Sequence, residues 1–183
     1  KCFNNLNSKM FNWLSDRQPF CYFPEYFSPS MQTIDFEVDL ERYTGTWFEQ
    51  ARKPQRFQYG CTESSAHYKL NKKEGKVEVY NDCITKDKGQ RNISGYAVPV
   101  TPKNNKLKVY FTKWFGGSYW LLDLDKNYEW AIVGEPCKKF AWVLSRSANP
   151  PVDEVVKRVE LLKRKGYDVG DIIFRGESDK KPF

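Results

Sequence analysis

From Gly45 onward, apolar and polar residues alternate in short runs. Over 46–52, directly after Tyr43-Thr44-Gly45, the two-residue period of a strand sends Trp47, Glu49 and Ala51 to one face. A glycine just before such a run lets the backbone turn or approach a neighbour closely. The next run, 64–70, sets Ala66, Tyr68 and Leu70 against His67 and Lys69, and Lys72-Lys73-Glu74-Gly75 turns the chain. Strands are then predicted over 76–82, with Val77, Val79 and Asn81 on one face, and over 92–98, where Ile93 and Ala97 share a parity. Over 106–113, Leu107, Val109 and Phe111 oppose Lys106, Lys108 and Tyr110, and Gly116-Gly117 is expected to break the pattern.

The runs 119–124 and 128–133 are apolar on both parities, so something must cover their outer side. A further strand is predicted over 140–145. Asn149-Pro150-Pro151 then introduces a helix over 152–165, apolar at Val152, Val155, Val156, Val159 and Leu162 and ended by Gly166. That helix is expected to lie on the last three strands, with a short strand over 172–175 after it. The pattern therefore predicts an all-β fold: an eight-stranded antiparallel up-and-down barrel with one helix outside, a strand count that can hold one small ligand. Residues 1–35 keep no steady period and mix Pro19, Pro24 and Pro29 with many aromatics. They are expected to form an ordered extension, with a short helix near 8–14, packed on a domain of 36–183 because exposed aromatics would invite aggregation. Phe36, Val38 and Leu40 alternate into the entry segment ahead of the first strand.

Composition narrows this further. A chain of 183 residues, 40% hydrophobic and 16% aromatic, suits one domain with a sizeable core. No apolar run approaches the roughly 18 residues of a membrane span, and Lys1 in place of Met is expected to mean that a signal segment was removed or trimmed. Five widely spaced cysteines with no CxxC pair and one histidine argue against a zinc site or a thioredoxin-type motif. Disulfides, and hence a secreted or extracytoplasmic setting, are expected instead. The net charge of +7 would attract anionic lipid surfaces, although its lysines scatter along loops and form no nucleic-acid groove.

Three of these stretches, Gly45-Thr46-Trp47, Leu122-Asp123-Leu124-Asp125 followed by Tyr128, and Ser145-Arg146, resemble the three conserved regions of the lipocalins. The resemblance spans 40–175. Within the family, the run from Arg42 to Arg52 and the run from Ala141 to Arg146 look closest to the bacterial outer-membrane lipocalin and apolipoprotein D branch. The extension is longer than that branch usually carries, and Leu-Asp stands where Thr-Asp is commoner. The resemblance implies that Arg146 closes over Trp47 at the narrow end, next to Gly45, a cation–indole contact worth about 1–2 kcal/mol when desolvated.

Carrying one parity round the barrel lines its cavity with Glu49, Ala66, Tyr68, Val79, Asn81, Ile93, Ala97, Val109, Phe111, Tyr119, Leu121, Val133, Phe140 and Trp142. Leu70, Val77 and Leu144 read as plain core lower down. This lining suits a fatty acid, lysophospholipid, retinoid or tetrapyrrole better than a sugar or nucleotide, with Trp142 and Tyr68 the strongest candidates. Glu49 has two readings: anchor for a ligand head group, or a structural carboxyl bonded to Asn81 or Tyr68. With Trp47 at the closed end, strand direction puts Cys61, Cys83 and Cys137 at the mouth. Relatives like apolipoprotein D join a mouth cysteine to a C-terminal one, which this chain lacks, so Cys61–Cys83 and Cys21–Cys137 are the expected bridges, with Cys2 free or lipidated.

The function implied is non-enzymatic transport or scavenging of a fatty acid or lysophospholipid, with no cofactor and no metal. An enzyme of the isomerase or de-epoxidase kind would need reactive groups inside; Cys83 and Asp123 share inward parity but lie at opposite ends. An interaction module using the aromatic extension is the third reading.

Overall fold

The computed structural model describes residues 32–113 and 116–179. A short helix α1 (Leu40–Tyr43) leads into β1 (Gly45–Arg52), followed by β2 (Cys61–Asn71), β3 (Lys76–Thr85), β4 (Gln90–Pro99), β5 (Lys106–Tyr110), β6 (Gly116–Leu124), β7 (Trp130–Gly134) and β8 (Ala141–Ser145). Helix α2 (Val152–Arg164) and the two-residue strand β9 (Ile173–Phe174) complete the chain. Every neighbouring pair from β1 to β8 is antiparallel, and β8 pairs back to β1, so the eight long strands shut into a ring. The expected barrel with its outer helix is therefore the architecture observed.

Two bulges change the parity that plain alternation predicts. Between Glu49 and Ala51 the register of β1 on β8 shifts by one. Trp47 and Glu49 face inward as expected, but Ala51 turns outward against Val143, Val155 and Val159, and Arg52 turns inward opposite Trp142. The second bulge lies between Leu121 and Asp123 in β6, so Leu121 faces the interior and Asp123 pairs with outward Ile132. The inward Asp123 of the sequence reading is thus corrected. Gly116-Gly117 does not break the pattern but opens β6, where absent side chains let the strand run against Tyr110 and Val109. Tyr128 is a turn residue with φ 61°, placing it before β7 and not within it.

Helix α2 buries Val155, Val159 and Leu162, an i, i+4, i+7 stripe, while Val152 and Val156 stay exposed. Its apolar face covers Ala51, Val143, Trp120, Leu122, Ile132 and Ala141, so the doubly apolar strands are explained by burial on both sides. Above Phe48 the bulged β1 parts from β2, and the chain's last described segment fills the gap: β9 pairs with Ala51 and Arg52, Arg175 N donates to Gln50 O and Gly176 N to Thr62 O.

Cys61 and Cys83 form a disulfide, as expected, across the β2–β3 pair. Cys137 is disulfide-bonded too; Cys21, its expected partner, and Cys2 lie outside the described residues, as do residues 1–31 of the extension and the helix expected near 8–14. The Cys61–Cys83 bridge spans 22 residues of sequence, so loop-closure entropy makes it worth about 3 kcal/mol. Replacing both cysteines by serine is expected to lower the unfolding free energy by that amount in urea, without changing the barrel's far-ultraviolet circular dichroism.

Candidate functional site: the barrel interior

The closed end is built around Trp47. Gly45 holds φ +95°, and an added Cβ there would meet the Arg146 guanidinium at 3.3 Å, so this turn needs a residue without a side chain. The turn delivers Trp47, wholly buried, beneath Arg146, whose guanidinium lies 3.8 Å from the indole centroid. Arg146 donates to the carbonyls of Arg42, Tyr43, Thr44, Thr46 and Tyr128 at 2.8–3.3 Å, and Trp47 Nε1 donates to Tyr43 O at 2.9 Å. Below, the lead-in segment crosses the floor with Ile34 and Val38 buried, and Asn104 and Asn105 hold its carbonyls.

Strand register decides the walls. Residues opposite one another share a face, so Trp47, Ala66, Asn81 and Ile93 form one inward row and Tyr68, Val79 and Gly95 another. Leu70, Val77, Ala97 and Val109 form a third, then Leu107 with Tyr119, and finally Leu121, Val133, Trp142 and Arg52. Phe111 has left the strand, which ends at Tyr110, yet packs into the interior over Gly95, where a Cβ would meet its ring at 2.7 Å. Phe140 lies just before β8, stacks with Trp142 and meets the ring of Phe57 at a tilt. Val77, Val79, Ala97, Leu107, Leu121 and Val133 are buried, whereas Tyr68, Asn81, Val109, Phe111, Tyr119, Phe140 and Trp142 keep accessible surface and Ile93 is 48% exposed. Accessible apolar surface on the inner face, above a sealed floor, is the geometry of a calyx.

Near the mouth the interior turns polar. Glu49 is buried, and its bonds run neither to Asn81 nor to Tyr68: Gln58 Nε2 donates to Oε2 at 2.7 Å, and Arg52 Nη1 lies 3.5 Å from Oε1. Arg52 Nη2 also donates to Asp179 Oδ2 and Cys61 O, each at 3.1 Å. Gln58, from the turn after β1, bonds Ser64, Gln55 and the indole of Trp142 as well. Burial pushes the Glu49 carboxyl above its ordinary range, with Arg52 and Gln58 pulling the other way. Deeper in, three phenols meet: Tyr43 Oη and Tyr119 Oη lie 2.6 Å apart, Tyr68 Oη and Tyr119 Oη 3.2 Å. Burial raises all three, Tyr68 to about 12, so they stay neutral at any physiological pH.

The strand register sets Glu49, Ala66, Tyr68, Val79, Asn81, Ile93, Ala97, Val109, Tyr119, Leu121, Val133 and Trp142 on one inner face, Phe111 and Phe140 lie just beyond their strands, and parity did not bring out four groups that meet there: Tyr43, Arg52, Gln58 and Asp179. Arg52 was hidden by the bulge, and Gln58 and Asp179 arrive from segments with no period. Tyr43 carried a signal, since it sits two residues before the glycine turn that places Trp47. The pair named for an enzyme reading does not assemble, because Cys83 is oxidised and Asp123 faces out. Among the described residues, no cluster of three His, Cys, Asp or Glu side chains is placed to hold a metal ion.

A lipocalin-like domain matches residues 38–177. Temperature-induced lipocalin-1 of Arabidopsis thaliana is 33% identical over 156 residues, covering 79% of this chain and 82% of the relative. The outer membrane lipoprotein Blc of Escherichia coli K12 is 33% identical over 150 residues, covering 80% and 83%, and apolipoprotein D of Macaca fascicularis 33% over 152 residues, covering 78% and 77%. Insecticyanin from the tobacco hornworm Manduca sexta shares the fold with a TM-score of 0.63 at 24% identity, over 86% of this chain and 89% of its own. With that match running from the lead-in segment to the last strand, and with the cation–indole closure and calyx in place, the chain belongs to the lipocalin family, whose members bind small hydrophobic ligands.

Proposed function

We propose that this lipocalin transports or scavenges one acyl lipid at a time, a fatty acid or a lysophospholipid, held tail-down in the calyx. The observation that carries this reading is the accessible apolar inner wall above a sealed floor, reached through a polar mouth. An acyl tail is stabilised there by about 0.8 kcal/mol for each methylene removed from water, while its head stays at the wet mouth beside half-buried Gln58, above the buried Arg52 and Glu49. No bond is made or broken. The mouth also bears Arg56, Lys86, Lys88, Arg91, Lys138 and Lys139 around exposed Phe57 and Tyr59, which favours collection from an anionic membrane surface. The disulfides and the relatives named above, an outer membrane lipoprotein among them, fit an extracytoplasmic setting.

Native mass spectrometry of the purified protein is expected to show one bound acyl lipid per chain, released on unfolding. The protein should also sediment with vesicles containing anionic lipid, less so at high salt, and not with neutral ones. A chain that takes up no acyl lipid, even when offered an excess, would overturn the reading.

A further inference from the structure

The three phenols at the bottom of the calyx are short of acceptors. Tyr119, in β6, is the hub of two hydrogen bonds, to Tyr43 at the end of α1 and to Tyr68 in β2. Among the described residues, no carbonyl, carboxylate or other side chain bonds any of the three hydroxyls. Each hydroxyl carries a single proton, and each of the two bonds consumes one, so whichever way the chain of bonds runs one O–H donor remains unused. Tyr43 is buried, whereas Tyr68 and Tyr119, which the strand register turns to the inner face, are only half-buried. The arrangements that cost least therefore leave the spare proton on Tyr68 or Tyr119, facing the space where the far end of a ligand would lie.

The surroundings select what can accept it. Leu40, Leu107, Val109 and Leu121 pack around the phenols and offer no polar group. Arg146 is the cation whose charge is felt by Tyr43 and Tyr68, but each of its three guanidinium nitrogens bonds a backbone carbonyl of the closed end, so it supplies positive potential and no bond to the phenol hydroxyls. A carboxylate placed here would give up its hydration for one donor and no counter-ion, which is unfavourable. A methyl end would bury the O–H without a partner. A neutral oxygen avoids both penalties.

Resting on the reading of the barrel as a ligand site, we propose that the phenol cluster of Tyr43, Tyr68 and Tyr119 recognises a neutral carbonyl oxygen, ketone, aldehyde or ester, at the leading end of an apolar ligand. The calyx then has two polar contacts, a charged one at the mouth and a neutral one at the floor, with apolar wall between. Ligands are discriminated by what their buried end carries as well as by length.

The test compares a saturated fatty acid with the analogue of equal length bearing a ketone next to its terminal methyl, both titrated calorimetrically. Wild-type protein is expected to bind the ketone analogue about 5- to 10-fold more tightly, the return of one hydrogen bond. Tyr68→Phe with Tyr119→Phe removes the two hydroxyls of the half-buried phenols, so this double variant should bind the two ligands with equal affinity. Tyr68→Phe alone leaves two phenols, one bond and one spare proton, and should keep the preference. Equal affinities in wild-type protein would overturn the proposal whatever the variants do, and a preference that survives in the double variant would do the same. Failure of both ligands to bind would instead remove the carrier reading on which it rests.

Discussion

Trp47→Ala is expected to lower the unfolding free energy by about 3–5 kcal/mol, the range for a large ring deleted from a packed core. The ring is wholly buried, with Tyr43 tilted against it at 5.2 Å and Arg146 lying over its face. Its removal leaves a void under the guanidinium, and Arg146 then faces that void instead of an indole. Tyr43 O also loses the Nε1 donor, though Arg146 still reaches that carbonyl at 3.3 Å. Urea unfolding of wild type, Trp47→Ala, Arg146→Met and the double variant isolates the shared part. The coupling between the two residues should come to about 1–2 kcal/mol. A loss below about 1 kcal/mol for Trp47→Ala would show that the closed end is not where the barrel is held shut.

Arg52→Met should cost as much, for a different reason. Arg52 is buried and stands between two carboxylates, Glu49 at 3.5 Å and Asp179 at 3.1 Å, whose side chains are also buried. Removing the cation leaves two uncompensated charges in the interior, a change that typically costs about 3–5 kcal/mol, whereas replacing the whole set by neutral groups is far milder. The triple variant with Glu49→Gln and Asp179→Asn is therefore expected to recover most of the loss. The pH dependence has a definite sign. Glu49 has its folded pKa raised by burial, so the folded state binds its proton more tightly than the unfolded chain does. Its contribution is thus most favourable below the unfolded value and is lost as pH rises through the raised folded one. Without Arg52 the Glu49 carboxyl is held higher still, and the variant's deficit should grow from acid toward neutral pH. Thermal unfolding across that window checks this, and a deficit that shrank with rising pH would contradict it.

Much of the molecule is legible in its residues because strands have a period of two and fixed neighbours. Once Trp47 is taken to face the core, alternation alone carries the inward assignment through Ala66, Tyr68, Val79, Ala97, Val109 and Trp142, and each of these lies on the inner face. The closure of Arg146 over Trp47 was implied by the resemblance of Gly45-Thr46-Trp47 and Ser145-Arg146 to the lipocalin motifs, and the structure has it. Helix α2 was legible from its spacing, although the observed stripe is narrower. Val152 and Val156 are exposed because only the Val155, Val159 and Leu162 line meets the sheet.

What alternation cannot supply is a change of phase. A bulge adds one residue to one strand, and nothing in a run of apolar and polar letters marks where it falls. Hence Ala51 and Asp123 were read inward, and Arg52, the cation of the mouth, was read outward. Glu49 shows the same division: its inward direction followed from parity, but its partners Arg52 and Gln58 come from beyond the bulge and from an aperiodic turn. The amino-acid sequence by itself determined a ring of strands and its inner face, since these rest on local periodicity and a few turn residues, and the likeness of its motifs to the lipocalins supplied the stopper. Only the tertiary structure decided which polar groups meet inside that ring, the Arg52 network at the mouth and the three phenols on the floor. Such meetings depend on register between segments far apart in the chain, which is a property of the closed barrel and not of any stretch within it.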